Sequence, residues 1–179
     1  SEAIALRLGR SVIFISVAGD QVGAALGQGK ADGVCYVRPF WIDGDFYWSR
    51  PLIPDAELVA SLPEAPVVSS LLHLRDSPVG TDKSYRYPRV EQVLGLRFQR
   101  RDTLTMEDNL RRMIQGTVSY TLIAQSTLSW QMKVNKNLTV RPDLAIAADS
   151  PPGALPPGGD LGCARGRKAD HGLNGGARA

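Results

Sequence analysis

Histidine and cysteine are scarce in this chain, with two of each in 179 residues. His73 and His171 have no partners at metal-ligand spacing and read as structural or solvent-facing side chains. Cys35 and Cys163 lie far apart, with neither the close spacing nor the neighbouring histidines of a zinc site, so no metal or other cofactor is expected and the redox compartment stays open. No run approaches the roughly eighteen apolar residues that a membrane span needs, so direct membrane insertion is not expected. Ser1 opens without a basic-then-apolar leader, which leaves a cytosolic protein, a mature one, or one whose front end lies outside the sequence. Charge of one sign is not concentrated either. The 21 basic and 18 acidic residues are spread along the chain and leave a net +3, which argues against a nucleic-acid partner.

The machinery of catalysis is missing as well. There is no serine elbow, no glycine-lysine phosphate loop and no histidine-based metal spacing. Asp43 and Asp45 flank a glycine, a pattern of turn chemistry more than of acid and base. A non-enzymatic protein is expected.

What the chain does have is a 43% hydrophobic content, enough for the core of one domain or two small lobes. The apolar run from Val12 to Val17 reads as a strand. It is followed by Gly19-Asp20, by Val22, Ala25 and Leu26 at helical spacing, by Gly29 as a stop, and by a second strand from Val34 to Val37. Asp20 is the expected helix cap, and the two strands should form a parallel pair with a right-handed crossover. A second unit repeats this order: a strand-like Leu96 to Gln99, a helix from about Met106, a stop at Gly116, and an alternating strand through Val118, Tyr120 and Leu122. Thr105 and Asp108 have capping-box spacing, and Met106, Leu110, Met113 and Ile114 fall on one helical face. Ser126 reads as the cap of a further helix carrying Leu128 and Met132. Such repetition occurs in any α/β protein, in one sheet or in two.

Between the units lie Trp48-Ser49-Arg50-Pro51, a short extended segment Glu57 to Leu62, and a proline-marked connector Pro63 to Pro66. Pro78-Val79-Gly80-Thr81 reads as the start of a loop through Ser84-Tyr85-Arg86-Tyr87-Pro88, and Arg89 to Leu94 as a short helix closed by Gly95. From Asp149 onward glycine and proline dominate, and such a segment cannot bury enough apolar surface to offset its ordering entropy. A disordered tail over 142–179 is therefore expected.

Several segments together resemble extracellular solute-binding proteins of family 3, the type II periplasmic binding proteins that serve ABC transporters. The stretch from Asp108-Asn109-Leu110 through Gly116-Thr117-Val118 to Ile123 is similar to that family's asparagine-leucine, glycine, small residue and valine run into a strand. Leu26-Gly27-Gln28-Gly29-Lys30-Ala31-Asp32-Gly33 and Phe46-Tyr47-Trp48-Ser49-Arg50-Pro51-Leu52 resemble segments of its first lobe, and Leu74 to Thr81 resembles the opening of its second. The likeness runs over residues 1–141.

The resemblance implies an α/β, bilobed, periplasmic-binding-protein-like clamp with a small, mainly parallel sheet in each lobe and a ligand held between them. It implies a periplasmic location, a small polar solute such as an amino acid or a carboxylate, delivery to the membrane permease of an ABC transporter, and a monomer. The chain departs from the pattern in three places. The family has a first strand and helix ahead of the position of Ser1, and Glu2 to Leu8 match only the end of that helix; the glycine- and proline-rich tail replaces the return to the first lobe; and Ala124-Gln125-Ser126 stands where the family often carries an aspartate. The resemblance thus implies a partial first lobe over 1–72 and a second lobe over 73–141, ahead of the tail. The alternatives are a ligand-sensing domain of a receptor or regulator, and a fragment that does not bind.

Ligands of open α/β sheets bind beyond the carboxyl ends of the strands. Arg38 follows a strand and can present its fork to a carboxylate, or it is an ordinary surface arginine. Tyr85, Arg86 and Tyr87 precede a helix and offer aromatic walls and a cation, or a packed loop. Gln125 and Ser126 follow the last strand of the second unit, where Ser126 also suits a cap; Trp48 lines a cleft or packs in a core.

Overall fold

The computed structural model describes residues 2–50, 52–146 and 160–166. In chain order the helices are α1 (Glu2–Arg7), α2 (Val22–Gly27), α3 (Pro88–Leu94), α4 (Met106–Ile114) and α5 (Gln125–Val134). The strands are β1 (Gly33–Val37), β2 (Phe46–Trp48), β3 (Ile53–Pro54), β4 (Glu57–Ser61), β5 (Pro78–Asp82), β6 (Gln99–Thr103), β7 (Tyr120–Ala124), β8 (Arg141–Ile146) and β9 (Asp160–Gly166). The chain divides into two compact units, one formed by Ser1–Arg50 with Gly162–Ala179 and the other by Pro51–Leu161. The second is thus an insertion in the first, with boundaries that differ from the 72/73 and 141/142 divisions that the resemblance implied.

In the smaller unit β9 is the middle strand. β1 and β2 both pair with it antiparallel, while its first residues, Asp160 and Leu161, belong with β3 to the larger unit and pair with that strand there. The strand expected at Val12–Val17 is not formed. Residues 11–18 are irregular, and Ile13 and Phe14 are exposed, so the parallel partner expected for β1 is replaced by an antiparallel one from far along the sequence. Asp20 sits in a short 3-10 turn and does not cap α2, whose N-cap is Gln21 with no side-chain bond. The core of this unit is small: Leu26, Ile42, Phe46 and Ala164, with Val22, Ala31, Val34, Val37 and Trp48 packed against it.

The larger unit carries a five-stranded mixed sheet in the order β6-β5-β7-β4-β8. β5 is parallel to β6 and β7, while β4 runs antiparallel to β7 and β8. One face packs Val59, Val79, Tyr120 and Leu122 under α3 with Tyr87, Val90 and Leu94; the other packs Leu58, Ala60 and Ile123 under α4 and α5 with Met106, Leu110, Met113 and Leu128. The helix signals hold here. Thr105 Oγ1 accepts the Asp108 N–H at 3.1 Å, and just past the C-cap Gln115 the chain turns at Gly116, whose φ of 70° suits a residue without a Cβ. Ile114, expected on the buried face of α4, is exposed, and Asn109 lies on that face in its place.

Five strands fall where none was expected, the short β2 and β3 among them. Pro78–Asp82 is β5, the strand that joins the two parallel pairings, and the strand expected at Leu96–Gln99 begins later as β6. Proline is tolerated at the first residue of a strand, and Gly80 is required by close approach, since a Cβ there would lie 2.8 Å from Asn109 Oδ1 and 3.0 Å from Thr121 Oγ1. β8 (Arg141–Ile146) runs from the last residue of the expected second lobe into the stretch assigned to the tail, and β9 (Asp160–Gly166) lies within that stretch. The remainder of that expectation, residues 147–159 and 167–179, lies outside the described residues.

Candidate functional site

In the larger unit, parallel register sets Asp82 beside Thr103 and Gly80 beside Thr121, so β5, β6 and β7 all end at one edge of the sheet. Glu57 pairs with Ala124 in the antiparallel β4–β7 ladder, which brings the start of β4 to the same edge. The loop 83–87, the N-terminus of α5 and Asp55-Ala56 therefore gather there. This is the edge where ligands of open α/β sheets bind.

Asp82 terminates β5 and is 6% exposed. Its Oδ1 accepts the Ser84 N–H at 2.8 Å, and its own N–H donates to the Tyr87 hydroxyl at 2.9 Å. Burial pushes the Asp82 carboxyl above its ordinary range; the Ser84 hydrogen bonds oppose this, and the charges of Asp102 and Glu107 add to it. Arg100, on β6, ties the loop down by donating to Asp102 Oδ1 at 2.8 Å, to the Asp82 carbonyl at 3.1 Å and to the Tyr85 carbonyl at 3.3 Å. Its guanidinium lies over the Tyr87 ring at 5.2 Å.

Tyr85 is half-buried beside both core clusters. Burial, and then the negative charges of Asp82, Glu57, Asp55 and Glu107, push its hydroxyl up to about 12. Tyr87 is fully buried, with its hydroxyl taken up by the Asp82 amide and its titration pushed up by burial; it belongs to the core under α3. Arg86 between them is exposed.

The start of α5 is already served from within the chain. Asp55 accepts the Ser126 N–H at 3.1 Å and the Ser126 hydroxyl at 2.6 Å, and the Gln125 N–H donates to the Ala56 carbonyl at 2.8 Å. Ser126 is thus not the N-cap, a position held by Ala124; it is the residue that a carboxylate from the start of β4 grips. Gln125 is exposed and Ser126 half-buried. The arrangement brings Tyr85, Arg86, Gln125 and Ser126 to one edge, together with Asp55, Glu57 and Asp82, which sequence reasoning missed. Such an edge favours a ligand that donates hydrogen bonds or carries positive charge. A sequence signal existed for Asp82, which directly follows the Val79-Gly80-Thr81 run.

In the smaller unit Arg38 follows β1, is 8% exposed and holds its guanidinium over the Trp41 ring at 5.4 Å. Trp48 ends β2, half-buried against the small core. Cys35 and Cys163 stand opposite each other on β1 and β9 and form a disulfide. Sequence spacing gave no sign of that pairing. Among the described residues no group of three histidine, cysteine, aspartate or glutamate side chains could hold a metal ion, and no helix is long and apolar enough to cross a membrane.

Neither a protein-family model nor a curated protein matches the sequence. Solved structures do match by fold. An ancestral arginine-binding protein bound to arginine superposes with a TM-score of 0.74 at 18% identity, over 93% of this chain and 71% of that one. A histidine kinase sensor domain with similarity to periplasmic binding proteins gives 0.68 at 20% identity, over 94% and 70%. The BvgS periplasmic VFT2 domain of Bordetella pertussis gives 0.67 at 16% identity, over 92% and 67%. The chain has the α/β fold of the periplasmic binding proteins, over about seven-tenths of the length of these relatives.

Proposed function

We propose that this chain is a non-catalytic, extracytoplasmic receptor for a small polar solute, of the family 3 solute-binding type, that delivers its ligand to the permease of an ABC transporter. The observation that carries the reading is the convergence of β5, β6, β7 and the start of β4 on one sheet edge with Tyr85, Arg86, Gln125, Ser126 and the buried Asp82. Arg38 and Trp48, within the smaller unit, are proposed ligand-binding residues by themselves, and Tyr87, fully buried, is proposed to serve the edge from beneath by holding the Asp82 amide. The acidic surroundings of Tyr85 favour an amino-acid-like solute with an amine or guanidinium over a simple carboxylate. The disulfide supports a periplasmic location, because such bonds persist in oxidising compartments.

The likeness to a histidine kinase sensor domain supports a second reading, in which the same solute site feeds a signalling module instead of a permease.

The test is a thermal-shift screen of the folded chain against arginine, lysine, glutamine, glutamate, small carboxylates and polyamines. A ligand at a hundred times its dissociation constant adds about 2.7 kcal/mol to stability. A selective shift is expected for the cationic or amide-bearing compounds. A flat response from protein that unfolds cooperatively would refute binding by this chain.

A further inference from the structure

The smaller unit holds its sheet together through one strand. β1 and β2 bond to β9 and not to each other, so removing β9 leaves two separated strands of five and three residues. Yet β9, with the sequence Asp-Leu-Gly-Cys-Ala-Arg-Gly, is a poor strand former: two of its seven residues are glycine, and aspartate is also disfavoured in strands. Among its described side chains Ala164 alone joins the core of this unit. Its docking otherwise depends on hydrogen bonds and close backbone approach. The Ser49 N–H donates to the Cys163 carbonyl at 2.9 Å, the Cys163 N–H donates to Ser49 Oγ at 2.9 Å, and Gly166 passes so close to Leu26 that a Cβ would lie 2.7 Å from its carbonyl oxygen. Against so little buried apolar surface, the covalent bond from Cys163 to Cys35 is the strongest tie between β9 and the sheet. Both cysteines are half-buried, within reach of a small dithiol.

We propose that the Cys35–Cys163 disulfide is a redox-sensitive latch that holds β9 in the sheet of the smaller unit, and that its reduction by a dithiol releases this strand and dissolves that sheet while the five-stranded sheet of the larger unit persists. The dithiol supplies two electrons and two protons; the protein S–S bond breaks to two thiols, and the reductant closes to its own disulfide. The five-stranded sheet contains no residue of β9, and its core clusters draw only on residues between Ala56 and Ile146. The latch acts whichever ligand the protein takes.

Hydrogen exchange read peptide by peptide tests it, on the full chain oxidised, on the chain reduced with dithiothreitol, and on the C35S/C163S variant. In the reduced chain and the variant, amides of β1, β2 and β9 are expected to exchange at least tenfold faster, with β4, β5 and β7 unchanged, and dithiothreitol should leave the variant's pattern as it was. Mass-tagging of both thiols establishes that reduction is complete. Unchanged protection of β1 and β2 after complete reduction would overturn the latch. So would equal loss of protection in both sheets, which would make the disulfide a staple of the whole chain, and so would free thiols in protein purified without reductant.

Discussion

Replacing Asp143 by alanine should destabilise the larger unit by about 2–4 kcal/mol, a figure that follows from what this one carboxylate holds. The β4–β8 register shifts between Val59 and Ala60, which face Leu144 and Pro142, so Asp143 is the extra residue of a bulge and its side chain turns toward the connector 62–68. Asp143 Oδ2 accepts the Ser61 hydroxyl and the Val68 N–H, each at 2.8 Å, and Oδ1 accepts Arg141 Nε at 2.5 Å. Arg141 in turn donates to the carbonyls of Pro63 and Ala65, both at 2.9 Å. A proline-marked stretch without regular structure thereby has its backbone groups satisfied by two side chains of β8. Ser61 and Val68 are buried, so alanine leaves a hydroxyl and an amide without their acceptor, each costing about 1–2 kcal/mol. The ion pair itself adds little, because the Arg141 side chain is 31% exposed.

The pH dependence has a definite sign. Burial pushes the Asp143 carboxyl up, but the hydrogen bonds from Arg141, the Val68 amide and Ser61, with the Arg141 charge, outweigh it and hold the group below its ordinary value of 3.8. A depressed folded value stabilises the fold above the unfolded value, and that contribution is lost as pH falls through the folded one. Urea unfolding followed by Trp130, on α5 of the larger unit, should give the 2–4 kcal/mol loss at pH 7, with Trp41 and Trp48 replaced by phenylalanine to remove the signal of the smaller unit. The gap between the wild type and D143A should narrow as pH falls below about 4. A loss under about 0.5 kcal/mol at pH 7 would refute the reasoning, since it would mean that the connector does not need this acceptor.

Gly80→Ala should cost about 1–3 kcal/mol by overpacking, because the new methyl meets Asn109 Oδ1 and Thr121 Oγ1 inside 3.1 Å; in the G80A/N109A double variant the two losses should fall short of additive, and additive losses in urea would deny the contact. Asp82→Asn should raise the urea midpoint at neutral pH, since burial raises the native carboxyl and an acid with a raised folded value destabilises the fold above that value and relaxes as pH falls through it. The gain should shrink on acidification toward pH 4, and the same variant should lose the thermal shift given by a cationic solute. A midpoint unchanged at pH 7 would show that Asp82 is adequately solvated.

The second unit was legible where its signals are local. Thr105 with Asp108, the stop at Gly116, and Pro88 opening α3 before Gly95 all depend on residues within one or two turns, and all form as their chemistry dictates. Buried strands were harder to read. Tyr120 to Ile123 are buried on both faces, so alternation understated β7, and Pro78 with Gly80 disguised β5 as a loop although one opens the strand and the other makes room for Asn109. Of the candidate site, the positions after the strands were visible in order, but the two carboxylates that shape the edge were not, because Asp55 and Asp82 acquire their roles only from chain segments brought to them by the β4–β7 and β5–β6 ladders.

The smaller unit shows the opposite limit. Its apolar run Val12–Val17 has the composition of a strand and none of the partners, with Ile13 at 85% and Phe14 at 72% exposure, while its central strand comes from a glycine-bearing segment whose composition argues for disorder. Composition measures what a segment can bury by itself. It does not register a cysteine 128 residues away, and a cross-link over that separation removes about 5 kcal/mol of loop-closure entropy from the unfolded chain, more than the burial of Ala164 can contribute. A segment too polar to fold on its own account is therefore held in a sheet by one covalent bond, and the order of β9 is conditional on the oxidation state of that bond in a way that the order of β5 or β7 is not.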